Sequence, residues 1–167
     1  MVIVEIIQGD LLKSGEKYIA QQCNCVTIRA HGLSQSIAVK YPYANVYAKR
    51  SSVGRGRNCA KITSRPGTID VCQSANKDDP MIICMYAQYC PGKVNIYSQY
   101  YPNEKTCEDS RENRLLWFVQ CLEEIEKLGI QRVAMPYMIG CGLAGGNWDE
   151  YSEKLRQSKL EIVLYQL

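Results

Sequence analysis

The segment 135–148 constrains the fold more strongly than any other part of the chain. An apolar stretch at 132–135 predicts a buried strand, which runs into a turn with four glycines at 140–146 and then into a helix. Glycines leave backbone N–H groups uncovered, and the helix adds its positive amino-terminal end, so this order predicts a cradle for phosphate. The spacing fits neither a Walker A loop nor a dinucleotide fingerprint. A ligand that carries a pyrophosphate is therefore the first hypothesis.

Length and composition predict one soluble globular domain that spans residues 1–167. The apolar fraction of 46% and the charged fraction of 22% are ordinary for such a domain. The net charge of +3 permits anionic ligands without by itself arguing for nucleic acid. Met1 leads directly into a β-branched run with no export signal, and no apolar run is long enough to span a bilayer. We therefore expect a protein that is not secreted, is cytoplasmic or enters the nucleus by diffusion, and has no membrane partner.

The cysteines need an interpretation of their own, because the chain has nine of them and only one histidine. They are scattered, they form no Cys-x-x-Cys pair, and most of them lie inside apolar strand or helix patterns. This pattern favours reduced thiols that pack as small hydrophobic side chains over a disulfide framework or a zinc site. We expect no metal site and no cofactor.

Alternating strands and helices predict an α/β fold in which a central, mixed and mostly parallel sheet has helices on both faces. The predicted strands are 2–7, which the pattern places in the interior, 18–23, 59–63, 68–72, 81–87, 131–135 and 160–165. The predicted helices are 34–39, 43–51, 110–128 and 149–157, and 89–107 is the longest loop. Ligands of such sheets bind beyond the carboxyl ends of the strands. The loops at 9–11, 24–34, 88–101 and 139–146 are therefore the candidates for a site.

Two polar residues directly follow or end predicted strands. Asp10 could accept a hydrogen bond from the exocyclic amine of an adenine, or cap the turn behind it, and its spacing alone favours the cap. Asn24 could bond the hydroxyls of a sugar or its own backbone. The residues by themselves do not decide between the two roles of Asn24.

His31 and Asp149 are the candidates for acid–base chemistry. His31 opens a predicted helix at a position where backbone amides could face a phosphate, and its imidazole could move a proton near neutral pH; a plain exposed loop histidine is the alternative. Asp149 lies in the first turn of a helix, where the dipole stabilises a carboxylate, and could also reach the pocket as a general base. Asn147 and Glu150 have the spacing of a capping box, which favours a structural role for both.

Two groups of residues allow either a structural or a functional interpretation. The basic cluster Arg50, Arg55, Arg57 and Lys61 is a solvated loop by default, or a contact to nucleic acid or an acidic partner. The loop tyrosines either pack that loop or form a lid or stacking surface; they are Tyr89, Tyr97, Tyr100 and Tyr101.

These motifs, taken in order and nearly end to end, resemble the macro domain family. The resemblance rests on Gly9-Asp10-Leu11 after the first strand, Gln21-Gln22-Cys23-Asn24-Cys25 at the end of the second, the loop and helix at 32–42, and the glycine-rich segment 135–148. It implies a three-layer α/β/α fold that binds ADP-ribose, with Asp10 on the adenine amine and Asn24 on the distal ribose. The implied ligand contacts are Gly9, Asp10, Leu11, Asn24, Ala30, His31, Gly32, Leu33, Ser34, Gln88, Ile139, Gly140, Cys141, Gly142, Leu143 and Ala144.

Within the family, the chain looks closest to the ADP-ribose 1''-phosphate phosphatases and the terminal ADP-ribose protein glycohydrolase. The lysine and aspartate of the glycohydrolase do not carry over, because they fall near Ala87 or Gln88 and on Ala144. Arg29-Ala30-His31 also stands where small residues are usual, which could narrow the distal pocket or supply a catalytic imidazole.

The leading hypothesis is a monomeric protein that binds ADP-ribose and hydrolyses a derivative of it at the distal ribose. The bond cut would be a 1''-phosphate ester or an ADP-ribosyl link to protein or nucleic acid, with His31 or, second, Asp149 activating water. The alternative is a non-catalytic reader of ADP-ribosylated targets. A third and weaker interpretation is a nucleic-acid-binding protein that uses the basic cluster.

Overall fold

The chain forms one six-stranded sheet in the computed structural model, which describes residues 4–101 and 108–167. The strands are β1 (Val4–Gln8), β2 (Tyr18–Asn24), β3 (Ile69–Cys72), β4 (Met81–Gln88), β5 (Arg132–Pro136) and β6 (Glu161–Gln166). Their order across the sheet is β1-β6-β5-β2-β4-β3, and every neighbouring pair is parallel except β3 and β4. The carboxyl ends of five strands therefore meet at one edge.

Within the described ranges, three helices cover this sheet: α1 (Leu33–Lys40), α2 (Arg111–Lys127) and α3 (Trp148–Gln157). Consecutive residues of β2 point to opposite faces. Gln21 accepts a hydrogen bond from Ser34 of α1, whereas Gln22 points toward Gly140 and the α3 side chain Tyr151. The rings of Phe118 in α2 and Tyr151 in α3 lie 4.8 Å apart, so α2 and α3 share the face opposite α1. This arrangement confirms the predicted three-layer α/β/α fold.

Most predicted elements are confirmed, and three predictions are wrong. Strand β1 is not in the interior, because it lies at the sheet edge with β6 as its neighbour and leaves Ile6 53% exposed; residues 2 and 3 lie outside the described ranges. The segment 59–63 is not a strand, since its backbone donors go to loops: the Ala60 N–H donates to Val26 O and the Lys61 N–H to Ser51 O.

The predicted helix at 43–51 is replaced by two short 3₁₀ turns, Pro42–Ala44 and Tyr47–Lys49. The Asn45 side chain lies between them and accepts from the Ala48 N–H at 3.2 Å, so it competes with a continuous helix. Another 3₁₀ turn, Leu11–Lys13, follows β1, and a fourth, Ser98–Tyr100, lies in the described part of the long loop, of which residues 102–107 are outside the described ranges.

Seven of the eight described cysteines are buried, as the sequence pattern predicts. Burial raises the pKa of the Cys121 thiol and of the Cys90 thiol to about 12, so both stay protonated at neutral pH. Cys107 lies outside the described ranges. Among the described residues, no helix has the length and apolar character needed to cross a membrane.

An ion-pair cluster closes the amino-terminal edge of the strands. Arg132, at the start of β5, donates to both oxygens of Glu16, at 2.8 and 3.0 Å, and to Glu161 at the start of β6. The Tyr165 hydroxyl donates to Glu16 at 3.2 Å. The hydrogen bond from Arg132 holds the pKa of Glu16 below its ordinary value. This cluster ties β5, β6 and the segment before β2 together on the side away from the candidate site.

Candidate functional site

A cleft of about 290 Å³ opens at the carboxyl edge of the sheet. The two central strands, β2 and β5, are in register only at Ile19 and Ala134, so their ladder stops before either strand ends. The walls come from the loops after β2, β4 and β5. The lining residues are Gln22, Asn24, His31, Leu33, Ser34, Tyr47, Gln88, Pro91, Gly92, Pro136, Tyr137, Met138, Ile139, Gly140, Gly142, Leu143 and Ala144.

The glycine-rich loop turns tightly because Tyr151 of α3 leaves room only for glycine. Gly140 has a φ of +79°, and a Cβ there would lie 2.6 Å from Tyr151 Cε2. A Cβ at Gly146 would lie 2.6 Å from the Gly140 oxygen, to which the Gly146 N–H donates at 3.0 Å. Asn147 then accepts from the Glu150 N–H at 3.2 Å and caps α3, as the sequence predicts.

Several residues of this loop that line the cleft have a backbone donor that no described residue accepts. The Ile139 N–H donates to Pro136 O, and the Cys141 N–H to Met138 O. Within the described ranges, four further N–H groups of the loop have no acceptor, and all four residues line the cleft: Gly140, Gly142, Leu143 and Ala144. Neighbouring free N–H groups of a loop can form a concave anion-binding surface.

The opposite wall is the amino-terminal end of α1. Its N-cap is Gly32, which has a φ of +58° and gives the helix no side-chain cap. The Ser34 hydroxyl does not cap it either, since it donates to Gln21 Oε1 at 2.7 Å. A Cβ at Gly32 would lie 3.6 Å from Leu143 Cδ1, so the two loops approach each other across the cleft. The helix dipole thus adds positive potential to the same space.

His31 stands at the rim of this wall. It lines the cleft, its side chain is exposed, and it makes no hydrogen bond with the described residues. Its ring is therefore free to contact a ligand or water.

Asn24 is held rigidly at the floor. Its Oδ1 accepts from the N–H groups of Val26 and Thr27 at 3.0 and 2.9 Å, and its Nδ2 donates to Thr27 Oγ1 at 3.1 Å. The backbone N–H of Asn24 donates to the Tyr47 hydroxyl at 3.0 Å. Burial raises the pKa of Tyr47 well above its ordinary value, so the ring stays a neutral phenol. Asn24 therefore bonds its own loop, the structural alternative considered from the sequence.

Arg50 supports the same floor and is not a solvated residue of the basic cluster. It donates to Thr27 O at 2.7 Å, to Asn24 O at 2.8 Å and to Ser64 Oγ at 2.8 Å. Its guanidinium lies 4.8 Å from the centre of the Tyr47 ring. The other members of the cluster, Arg55, Arg57 and Lys61, are exposed.

Two glutamines form a relay of side-chain amides beneath the cleft. Gln88 Nε2 donates to Cys90 O at 2.9 Å, and Gln22 Nε2 donates to Gln88 Oε1 at 2.8 Å. Gln22 Oε1 is buried and has no donor among the described residues. It would lie 2.9 Å from a Cβ at Gly140, which places it against the glycine-rich loop.

A buried ion pair braces both walls from behind. Arg114 of α2 donates to both oxygens of Asp109 at 2.7 Å, and the two side chains are 3% and 4% exposed. The same guanidinium donates to Gly92 O at 2.7 Å, Cys90 O at 3.2 Å and Ala144 O at 3.3 Å. Asp109 also accepts from the Cys90 N–H at 2.9 Å. One cation thus fixes the loop after β4 and the glycine-rich loop to each other.

The structure brings ten of the sequence-predicted residues together in the cleft lining. They are Asn24, His31, Leu33, Ser34, Gln88, Ile139, Gly140, Gly142, Leu143 and Ala144. The predicted residues outside the lining are Gly9, Asp10, Leu11, Ala30, Gly32, Cys141 and Asp149. Asp10 Oδ1 accepts from the Leu12 N–H at 2.9 Å and caps the 3₁₀ turn, and Asp149 is an exposed residue of the first turn of α3.

The lining also contains residues that the sequence analysis did not single out: Gln22, Tyr47, Pro91, Gly92, Pro136, Tyr137 and Met138. The sequence could have predicted the place of Gln22 in the lining, because Gln22 precedes Asn24 by two residues on a strand and so faces the same side. The lining has no Asp, Glu, Lys or Arg among the described residues, and these residues hold no cluster of His, Cys, Asp or Glu able to bind a metal.

No protein-family model matches the sequence, and no curated protein matches it either. Solved structures do match over nearly the whole chain. The macrodomain of Mycobacterium tuberculosis DarG has a TM-score of 0.63 at 20% identity, covering 99% of this chain and 98% of that one. The macrodomain of Thermus aquaticus DarG has a TM-score of 0.64 at 15% identity, covering 100% of both. Thermosipho africanus DarTG in complex with ADP-ribose has a TM-score of 0.61 at 17% identity, covering 98% of this chain and 41% of that one.

These likenesses and the sheet order define the class: the chain has the macrodomain fold, as its motifs predicted. At 15–20% identity they establish the fold and leave the chemistry to the residues of the cleft.

Proposed function

We propose that the cleft binds ADP-ribose. The observation that carries this proposal is a set of four N–H groups without an acceptor among the described residues, at Gly140, Gly142, Leu143 and Ala144, in a loop that lies opposite the uncapped end of α1. This arrangement suits a diphosphate, because backbone donors and a helix end stabilise negative charge without a lysine or arginine. The similarity to a structure determined in complex with ADP-ribose supports the same ligand.

We further propose that the protein hydrolyses a bond at the distal ribose, with His31 as the base. A water oxygen attacks C1'' of the ribose while the imidazole takes a proton from that water. The bond from C1'' to the leaving oxygen breaks, and its electron pair departs with that oxygen. His31 is the residue for this role because it lines the cleft with an exposed, unbonded ring.

The described lining has no carboxylic acid or lysine that could protonate the leaving group. The chemistry therefore favours groups that leave as stable anions, namely a phosphate or the carboxylate of an ADP-ribosylated acidic side chain.

A non-catalytic reader is the second candidate, and the same absence of charged residues from the described lining favours it. A reader needs the diphosphate cradle and an accessible distal ribose, but no base. The two candidates make the same prediction for ADP-ribose affinity and opposite predictions for turnover.

Calorimetric titration with ADP-ribose tests the shared part of both candidates. We expect micromolar or tighter binding, and weak binding of AMP and ribose 5-phosphate, because the diphosphate cradle needs both halves. No binding at millimolar concentration, which corresponds to about −4 kcal/mol, contradicts the proposal.

The substitution His31→Ala separates the enzyme from the reader. For an enzyme we expect turnover of ADP-ribose 1''-phosphate or of an ADP-ribosylated glutamate peptide to fall about 10²- to 10⁴-fold, with a much smaller loss of affinity. The matched control is Gln35→Ala, an exposed residue in the first turn of α1 that does not line the cleft. Absence of turnover in the unsubstituted protein, with ADP-ribose binding intact, identifies the reader.

A further inference from the structure

We propose that Gln22 recognises a hydroxyl group of the distal ribose and that Gln88 is the positioning residue that aims it. This inference rests on the proposed binding of ADP-ribose and names a contact within that site. The observation behind it is the buried Gln22 Oε1 atom, which lies beside the glycine-rich loop and accepts no hydrogen bond from the described residues.

The orientation of the Gln22 amide follows from its partners. The backbone oxygen of Cys90 can only accept, so Gln88 must turn its Nε2 toward it and its Oε1 away. Gln88 Oε1 then accepts from Gln22 Nε2, which leaves Gln22 Oε1 as the free end of the chain. Flipping either amide would place two acceptors or two donors against each other. The free end of the relay is therefore an acceptor.

The far end of the relay is anchored as well. Cys90 O also accepts from Arg114, whose guanidinium is held by Asp109 in the buried ion pair. The Cys90 carbonyl thus has a fixed orientation. Its hydrogen bond fixes the orientation of the Gln88 amide, which in turn fixes that of the Gln22 amide. An acceptor held in this way cannot turn to accommodate a ligand acceptor, so it selects for a donor.

A ribose hydroxyl is the donor that fits. The phosphate groups of the proposed ligand bring only acceptors, and they face the free N–H groups of the loop 140–144. Gln22 lies two residues before Asn24 on the same side of β2, and both line the cleft, with Gln22 Oε1 next to Gly140 at the start of the loop. A site built to accept from a hydroxyl rejects an analogue without it, because the buried oxygen is then left unpaired.

The test measures coupling between Gln22 and single hydroxyls by calorimetry. The ligands are ADP-ribose and its analogues with the 2''- or 3''-hydroxyl of the distal ribose removed, and the proteins are the unsubstituted chain, Gln22→Met and Gln88→Met. Methionine keeps the length of the side chain and removes its polar atoms. Each substitution is expected to weaken ADP-ribose binding about tenfold, or about 1.4 kcal/mol. For the analogue without the recognised hydroxyl, the loss should be less than about twofold.

The outcomes separate the two proposals. If the unsubstituted chain binds ADP-ribose but Gln22→Met binds it equally well, or loses the same factor with all three ligands, the hydroxyl contact is overturned and the proposed function stands. If the unsubstituted chain binds no ADP-ribose, both are overturned. Should Gln22→Met fail to fold, the ligand arm decides alone: the unsubstituted chain must bind one deoxy analogue about tenfold more weakly, and equal binding of all three ligands overturns the contact.

Discussion

An arginine–carboxylate cluster lies at each end of the strands, one at their amino ends (the amino edge) and one at their carboxyl ends (the carboxyl edge). The two clusters are similar in composition but differ in their surroundings. At the amino ends of the strands, Arg132 and Glu161 are 40% and 41% exposed, and Arg132 also pairs with Glu16, which is 13% exposed. At the carboxyl edge, Arg114 and Asp109 are almost fully buried. Exposed pairs contribute little because water and salt already screen them, whereas breaking a buried pair leaves an uncompensated charge. We therefore expect Arg114, behind the cleft, to contribute more to the free energy of unfolding than Arg132, although Arg132 has more carboxylate partners.

The two clusters also differ in what they hold. Arg132 joins strands that are already paired in the sheet, since β5 and β6 are in register along their length. Arg114 joins backbone carbonyls of two loops that share no ladder, through Gly92 O and Ala144 O. Loss of the first cluster leaves the sheet intact, whereas loss of the second removes a direct connection between two walls of the cleft.

The largest expected effect is that of Arg114→Met. It leaves the Asp109 carboxylate buried without its cation and should lower the free energy of unfolding by about 3–5 kcal/mol, measured by urea denaturation. Adding Asp109→Leu removes the stranded charge and should recover only part of this loss, because the Cys90 N–H and the loop carbonyls stay without partners. A cost below about 1 kcal/mol for Arg114→Met would place this pair in the class of exposed ion pairs.

An intermediate effect is expected for Gly140→Ala. This substitution tests whether the glycine-rich loop at the carboxyl edge is packed too closely to accept a Cβ. The new Cβ meets Tyr151 at 2.6 Å in a left-handed backbone conformation, so we expect a loss of about 1–3 kcal/mol in unfolding free energy. The matched control for stability is Gly142→Ala, whose Cβ meets nothing within 4 Å. Equal thermal stability of the two variants would contradict this account of the loop.

The smallest effect is expected at the amino edge. Arg132→Met should cost less than about 1 kcal/mol at neutral pH. Because Arg132 holds the folded-state pKa of Glu16 below its ordinary value, the stabilisation is present above that value and is lost as the pH falls through the folded pKa. Urea denaturation between about pH 7 and pH 3 should therefore show a shallower acid loss for Arg132→Met than for the unsubstituted chain. If the unfolding free energies of both proteins fall equally with pH, the Arg132–Glu16 pair does not contribute to the loss of stability in acid.

Local sequence patterns predicted those elements whose limits are encoded in nearby residues. The sequence pattern at 110–128 predicted α2 (Arg111–Lys127), and the run of glycines with the Asn147 cap predicted the loop and α3. Position along the chain also predicted much of the cleft, because parallel strands deliver their loops to one edge.

The rest depends on contacts between distant segments, which no local pattern contains. Arg114 looks like an ordinary polar residue of a helix, and it is buried only because Asp109 and the carbonyls of Gly92 and Ala144 meet it. Arg50 looked solvated for the same reason. The edge position of β1 followed from sheet order, which its β-branched composition does not encode.

The sheet order also determines when the fold can be completed. In the part of the chain that the structure describes, β1 is the first strand and its partner β6 the last, with Val4 in register with Ile162. The segment from β2 to β4 can pair as the ribosome makes it, but β1 has no partner until residues 161–166 emerge. Closing so long a loop is entropically costly and slow. A nascent chain therefore carries β1 unpaired until β6 emerges, and in that period a chaperone or a neighbouring chain can bind it first.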